Sequence, residues 1–238
     1  MGVGAAPPFG TNGSNGDVMA KREDGKETRS KVLDSACEVF ARKGYRAATV
    51  ADICKRAGAN VASVNYYFGD KASLYREAWR FALESFQEHV VIDTQAESPK
   101  QALRNYIFTL MRNFSSKGEI GLFSRLYLRE LVSPTGLIQD AWHDLIEPRR
   151  QVFHSMIRKI IGEGADELSI RFCEQSIINQ CRVLLTIKRE DLEYMLGEPL
   201  TPDLIRRFAV HTADFSLAGI EALRRAGARN ESVGGSRQ

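Results

Sequence analysis

Thr49-Val-Ala-Asp-Ile-Cys-Lys-Arg-Ala-Gly-Ala-Asn-Val-Ala-Ser-Val-Asn-Tyr-Tyr-Phe-Gly-Asp-Lys-Ala-Ser-Leu74 is the stretch on which the fold turns. It reads as helix, tight turn, helix. Thr49 is an N-cap for Val50 to Ala57, and Gly58 permits the left-handed backbone of the three-residue turn Gly58-Ala59-Asn60. Asn60 then caps a short helix from Val61 to about Phe68, and Gly69-Asp70 breaks again. Ile53 and Ala57 face inward from the first helix, Val61, Val64 and Phe68 supply the apolar side of the second, and the alanines let the two cross closely.

The residues left outward on the second helix are Ala62, Ser63, Asn65, Tyr66 and Tyr67. Amides and hydroxyls on a short exposed helix suit base edges in a major groove, and tyrosine hydroxyls reach phosphates. Lys71 opens the next helix, where its charge and the free N–H groups of the first turn can grip one phosphate together. Thr49 offers the same arrangement at the start of the first helix. A helix-turn-helix is equally compatible with plain packing in an all-α protein, and composition and periodicity alone leave both readings open.

The remainder is helical by period. Upstream, Val32, Ala36, Val39 and Phe40 share a face, widened by Leu33 and Cys37, and Gly44 stops that helix. Downstream, an amphipathic helix runs from Lys71 to about Ile92. Further helices are expected from Pro99 to about Ser116 and from about Glu119 to Val132. Another spans Leu137 to Ile161, with a bend at Pro148, and another about Asp166 to Lys188. A short element lies near Asp191–Leu196, and a last helix runs from Pro202 to about Ala226. No segment alternates like a strand, so the fold class is all-α. Residues 1–25 and 229–238 read as polar, disordered tails, 26–75 as the head, and 93–228 as a helical body.

Composition excludes some classes and leaves others. The chain has 238 residues, 43% hydrophobic and 26% charged, ordinary for a globular protein with a core. No apolar run reaches membrane-spanning length, and the first residues lack signal-peptide order, so a cytoplasmic location is expected. Cys37, Cys54, Cys173 and Cys181 form no C-x-x-C pair and read as reduced core thiols. His89, His143, His154 and His211 show no metal-ligand spacing, so neither a metal nor a cofactor is expected. Net charge is +3, and eleven Lys/Arg against eight Asp/Glu lie between 26 and 91, an excess too small to identify nucleic acid by itself.

The residue pattern separates the readings that the periodicity left open. Thr49, Asp52, Ile53, Ala57, Gly58, Tyr67, Phe68, Lys71 and Leu74 stand at the spacing of the TetR/AcrR signature, and the stretch resembles that family of transcriptional regulators. Departures are Cys54 for a usual alanine, Asn60 for a usual serine, and Asn65 where tyrosine is frequent. Arg129-Glu-Leu, Ser133-Pro134 and Ile146-Glu-Pro148 are further similar to a CecR-like subgroup. The resemblance implies a homodimeric repressor, or alternatively an activator, that binds a palindromic operator on double-stranded DNA, associates with the nucleoid, has no membrane partner, and is released by a small, largely apolar effector. It places Val61, Ala62, Ser63, Asn65 and Tyr66 near bases, and Thr49, Tyr67 and Lys71 at phosphates.

It also implies a dimer seam on the last two long helices, with Ile177, Val183, Leu184, Phe208, Phe215 and Leu217 as candidates. Phe108, Met111, Phe123, Tyr127, Trp142, Phe153, Phe172, Gln175 and Asn179 are the candidates for lining the effector pocket. The aromatic and Met residues among them suit a plain core equally well. Arg129 and Glu130 read as an ion pair. Two other classes remain in view: an all-α enzyme, for which no catalytic motif is present, and a helical adaptor that binds protein. Salt-dependent binding to a specific duplex separates the regulator from both.

Overall fold

The computed structural model describes residues 14–90, 93, 95–116, 121–162 and 165–234, with side chains at its two ends described only from 25 to 227. Its α-helices are α1 (Ser14–Ala47), α2 (Val50–Ala57), α3 (Val61–Phe68), α4 (Lys71–His89), α5 (Pro99–Ser115) and α6 (Leu122–Val132). They continue with α7 (Gln139–Ala141), α8 (Glu147–Ile161), α9 (Glu167–Thr186), α10 (Arg189–Leu196) and α11 (Pro202–Gly234). Among the described residues there is no strand.

The ends differ from expectation. Residues 1–13 and 235–238 lie outside the described residues, but the backbone is helical already from Ser14 and as far as Gly234. Met19-Ala20-Lys21-Arg22-Glu23 are good helix formers and extend α1 upstream of the apolar pattern by which its start was read. Positions 91–92 and 119–120, where two helix ends were expected, are also outside the described residues.

Gly44 breaks α1 as its sequence predicts: its φ of 76° and ψ of 167° are non-helical, and only the turn to Ala47 follows. The carbonyls stranded at that break are met from α6. Arg129 Nε donates to the Ala41 carbonyl at 3.2 Å, and Nη2 donates to the Arg42 carbonyl. Glu130 turns the other way and is buried, accepting from the Tyr75 hydroxyl at 2.8 Å and from the Thr135 N–H at 3.0 Å. The expected Arg129–Glu130 ion pair is therefore replaced by two separate jobs, because adjacent helical residues point about 100° apart. Together they tie α6 to α1 and α4.

A second departure lies before Pro148. The bend takes the form of a π-helical turn over Trp142–Ile146, closed by the Glu147 N–H on the Trp142 carbonyl. The proline ring crowds the carbonyl four residues back, and the widened turn accommodates it.

Packing follows the amphipathic faces. α1 lies against α2, α4 and α6, while α5 is the central helix of the body, against α8, α9 and α11. One apolar core runs through both regions, from Val32 and Phe40 through Trp79 and Phe123 to Ile157 and Ile220. Trp79 on α4 meets Phe123 on α6 edge-on, with ring centroids 5.1 Å apart. α4 is thus shared: its first turn belongs to the head and its last to the body.

Candidate nucleic-acid interface and ligand cavity

The head is set by local chemistry. The Thr49 hydroxyl accepts the Asp52 N–H at 3.1 Å and donates to the Asp52 carboxylate at 2.8 Å, closing a capping box at α2. Gly58 ends α2 in the left-handed region at φ 65°. Asn60 caps α3 through the Ser63 N–H at 2.7 Å, and Asp70 caps α4 through the Ser73 N–H at 2.6 Å. With three caps in series, the direction of α3 relative to α2 and α4 is fixed by short-range bonds.

The inner and outer faces of α3 separate cleanly. Val64 and Phe68 are buried, whereas Ala62, Asn65 and Tyr66 are exposed, Tyr66 to 83%; Val61, expected on the apolar side, is instead exposed, since it opens the helix at its free end. Ser63 is half-buried, its hydroxyl donating to Asn60 at 3.0 Å. Tyr67 packs against the core, its ring edge-on to Tyr66 at 5.0 Å, and its hydroxyl lies beside Gly25 of α1. Lys71 is held by the head: its ammonium stands 4.6 Å over the Tyr45 ring and 3.5 Å from the Arg46 carbonyl. Thr49 is exposed but committed to the cap, so any contact with a phosphate is additional to that role. Sequence reasoning missed Arg46, an exposed cation whose backbone meets Lys71; a basic residue shortly before a helix cap was the available signal.

Asp52 carries a pH dependence. The Lys43 ammonium at 2.8 Å and the Thr49 hydrogen bonds hold its carboxyl down to about 2, from an ordinary 3.8. A lowered folded-state value stabilises the head fully above the unfolded value and loses that contribution as pH falls from about 4 to 2. The difference in thermal midpoint between the native chain and Asp52→Asn should be constant above about pH 5 and vanish near pH 2. A difference that persists at the acid end contradicts this origin.

In the body, a cavity of about 150 Å³ opens among α4, α5, α6, the Trp142–Ile146 turn, α8 and α9. Of the predicted residues, Phe123, Tyr127, Trp142, Phe153 and Gln175 line it, Gln175 from an exposed position. Tyr127 stacks between Phe123 and Trp142, each at 5.9 Å. Four predicted residues lie elsewhere. Met111 is fully buried in the core, and Phe108 faces a separate groove beside α11. Phe172 is 61% exposed on the outer face of α9, and Asn179 accepts a hydrogen bond from Arg182 at 3.0 Å. The apolar period that marked them is the same for a pocket wall, a core and an outer face.

What sequence reasoning missed is the charge in this cavity. Arg150 grips Glu174 with two bonds of 2.7 Å, and His154 Nε2 lies 2.8 Å from the same carboxylate. Burial pushes the Glu174 carboxyl up, but the bonds from Arg150 and His154 outweigh it and leave it below the usual range. Arg182 donates to the Tyr127 hydroxyl at 2.8 Å. Arg149 donates to the carbonyls of Val90 at 2.6 Å and Gln87 at 2.9 Å, so it caps the last turn of α4. The i, i+4 spacing of Glu174, Ile178 and Arg182 was the visible signal. No group of residues able to hold a metal ion occurs among the described residues.

Residues 32–78 match the model of the bacterial regulatory proteins of the TetR family, and residues 99–220 match the C-terminal domain of the HTH-type transcriptional dual regulator CecR. CecR of Shigella flexneri is 26% identical over 149 residues, which are 58% of this chain and 65% of CecR. AcrR of the same organism is 23% identical over 129 residues, 52% of this chain and 60% of AcrR. The chain thus spans under two thirds of the length of both. The crystal structure of the TetR-family regulator PfmR from Thermus thermophilus shares the fold, with a TM-score of 0.59 at 20% identity over 79% of this chain and 97% of PfmR. No helix among the described residues is long and apolar enough to cross a membrane.

Proposed function

We propose that this chain, which belongs to the TetR family of bacterial transcriptional regulators and carries a CecR-type C-terminal domain, is a cytoplasmic, nucleoid-associated repressor that binds a palindromic operator as a homodimer and is released by a small-molecule effector. The observation that carries the reading is α3, a capped helix whose inner face is buried and whose Val61, Ala62, Asn65 and Tyr66 stand free. In this reading 26–75 is the DNA-binding head and 93–228 the effector-binding and dimerising body, joined by α4.

A head with one short reading helix covers only part of a groove, and two heads on a two-fold axis share the affinity and read an inverted repeat. The seam we assign is the outer face of α9 and α11. Phe172 and Leu168 on α9, with Phe215, Val210 and Leu223 on α11, are exposed in the single chain. Ile177 and Leu217, read from sequence as seam residues, are buried within the chain, whereas Phe215 is exposed and available to such a seam.

Release needs an effector that binds one arrangement of the heads better than the other. α4 supplies the link. It begins at Lys71 beside α3 and ends at Gln87 and Val90, which line the cavity and whose carbonyls Arg149 holds. Gln87 also donates to the Leu145 carbonyl at 3.0 Å, and Arg80 pairs with Asp144 at 3.0 Å, so the far half of α4 moves with the π-helical turn. Filling the cavity displaces that end of α4 and changes the separation of the heads. A second reading, that bound DNA is also activated, draws on the dual-regulator description of CecR.

The test is selection of binding sites from a random duplex pool with the full chain. An inverted repeat, bound by one or more dimers with strong salt dependence, is expected. Recovery of no shared sequence, with weak and salt-insensitive binding, sinks the reading in favour of a protein adaptor.

A further inference from the structure

The cavity is apolar in its walls but unbalanced in its charge. Three guanidinium groups line it, from Arg149, Arg150 and Arg182, against the single carboxylate of Glu174. Arg150 takes that carboxylate in both of its oxygens, and His154 adds to it. The other two arginines have neutral acceptors: two main-chain carbonyls for Arg149, and the Tyr127 hydroxyl and Asn179 amide oxygen for Arg182. Among the described residues neither forms an ion pair, and the Arg182 Nε–H is buried without an acceptor. Burial weakens the hold of Arg149 on its charge, as expected for a cation kept from water with no counter-ion.

A half-buried cation that lacks an anion is costly to keep, and a buried, unused N–H such as that of Arg182 adds to that cost. Two such cations on one aromatic-walled cavity select a ligand of opposite charge. We propose that the effector is an anionic amphiphile, a carboxylate on an aromatic or aliphatic body, whose charge is met by Arg149 and Arg182 while its body lies along Phe86, Phe123, Tyr127 and Trp142. This rests on the reading of the cavity as the effector site and sharpens that reading from a largely apolar ligand to a negatively charged one. It also supplies the trigger. An anion that draws the Arg149 guanidinium to itself takes it from the Gln87 and Val90 carbonyls, and the last turn of α4 loses its cap.

The experiment is calorimetric titration of the chain with two matched sets: 2-naphthoate, 2-naphthalenemethanol and 2-naphthylmethylamine, and decanoate, decanol and decylamine. The acid of at least one set should bind about tenfold or more tightly than its alcohol, and the ammonium of that set should not bind detectably. Arg182→Met should remove that preference and leave alcohol binding within about twofold, since charge and not wall area is lost. Arg149→Gln, which keeps donors for the α4 carbonyls, is the second variant, and thermal unfolding checks that both fold. Equal affinity of acid and alcohol overturns the anionic effector and leaves the cavity reading standing. Acid preference that survives in both variants overturns the two arginines as its cause. Binding of no compound overturns both this inference and the cavity as an effector site.

Discussion

Lys71→Ala is expected to weaken DNA binding by about 30-fold, and to do so on every sequence alike. Lys71 is the first residue of α4, and in the proposed DNA-bound state its ammonium and the free N–H groups of that helix would converge on one phosphate. Both heads of a dimer carry the substitution, so two phosphate contacts are lost. The slope of log affinity against log salt should fall by about 1.8, roughly 0.9 for each neutralised phosphate. The position over Tyr45 at 4.6 Å restrains the side chain before DNA arrives, so little ordering entropy opposes the contact. The same position gives the residue a packing role worth about 0.5–1 kcal/mol, visible as a small fall in thermal midpoint. Titration of a fluorescent duplex at several salt concentrations separates the two. Loss of stability with unchanged affinity and slope would leave Lys71 a packing residue only.

The second large effect belongs to the body. Glu174→Ala should lower stability by about 3 kcal/mol, which for a chain of this size is a fall of about 6–12 °C in the thermal midpoint. The carboxylate is buried and is the shared partner of Arg150 and His154, so its removal strips the His154 Nε2 of its acceptor and leaves Arg150 with Glu147 alone, at 2.8 Å. Glu174→Gln retains one acceptor oxygen for Arg150 and should lose about half as much. The cavity also loses the one carboxylate in its lining, with Arg150 left to Glu147, so the Gln variant should prefer anionic ligands more strongly than the native chain. An Ala variant within about 1 °C of native would mean that Glu147 suffices for Arg150 and that the network is peripheral to stability.

The head was legible because it is held by short-range chemistry. Thr49 with Asp52, Gly58, Asn60 with Ser63, and Asp70 with Ser73 all act within three residues, and the observed α2 and α3 begin and end where those residues place them. The resemblance carried by Thr49 to Leu74 and the family match over 32–78 agree on the same segment. In the body, helix existence and the CecR-like resemblance were legible, the latter borne out by the family match over 99–220, but the surroundings of each side chain were not. A Phe at helical spacing gives no sign of whether it meets a cavity, a core or a neighbouring subunit, which is why Phe123 lines the cavity and Phe172 points away from it. The charged pairings of the cavity were harder to read than its walls, for a stronger reason. Arg149 acts on residues 87 and 90, Arg150 on 174, and Arg182 on 127, pairings made only by the tertiary fold. Arg129 and Glu130 looked like partners because they are adjacent, and helical geometry sends them to different helices.

The central claim is that the outward face of α3 reads sequence. Asn65 is its exposed amide, on the face opposite Val64 and Phe68, with both a donor and an acceptor for a base edge. Selection of binding sites from a random duplex pool, run in parallel with the native chain and Asn65→Ala, tests it most directly. The prediction is an inverted repeat for the native chain and, for Asn65→Ala, the same repeat with one base position per half-site relaxed by about 1–3 kcal/mol of discrimination. Identical preferences at every position, with native affinity, would contradict the assignment of α3 as the reading helix.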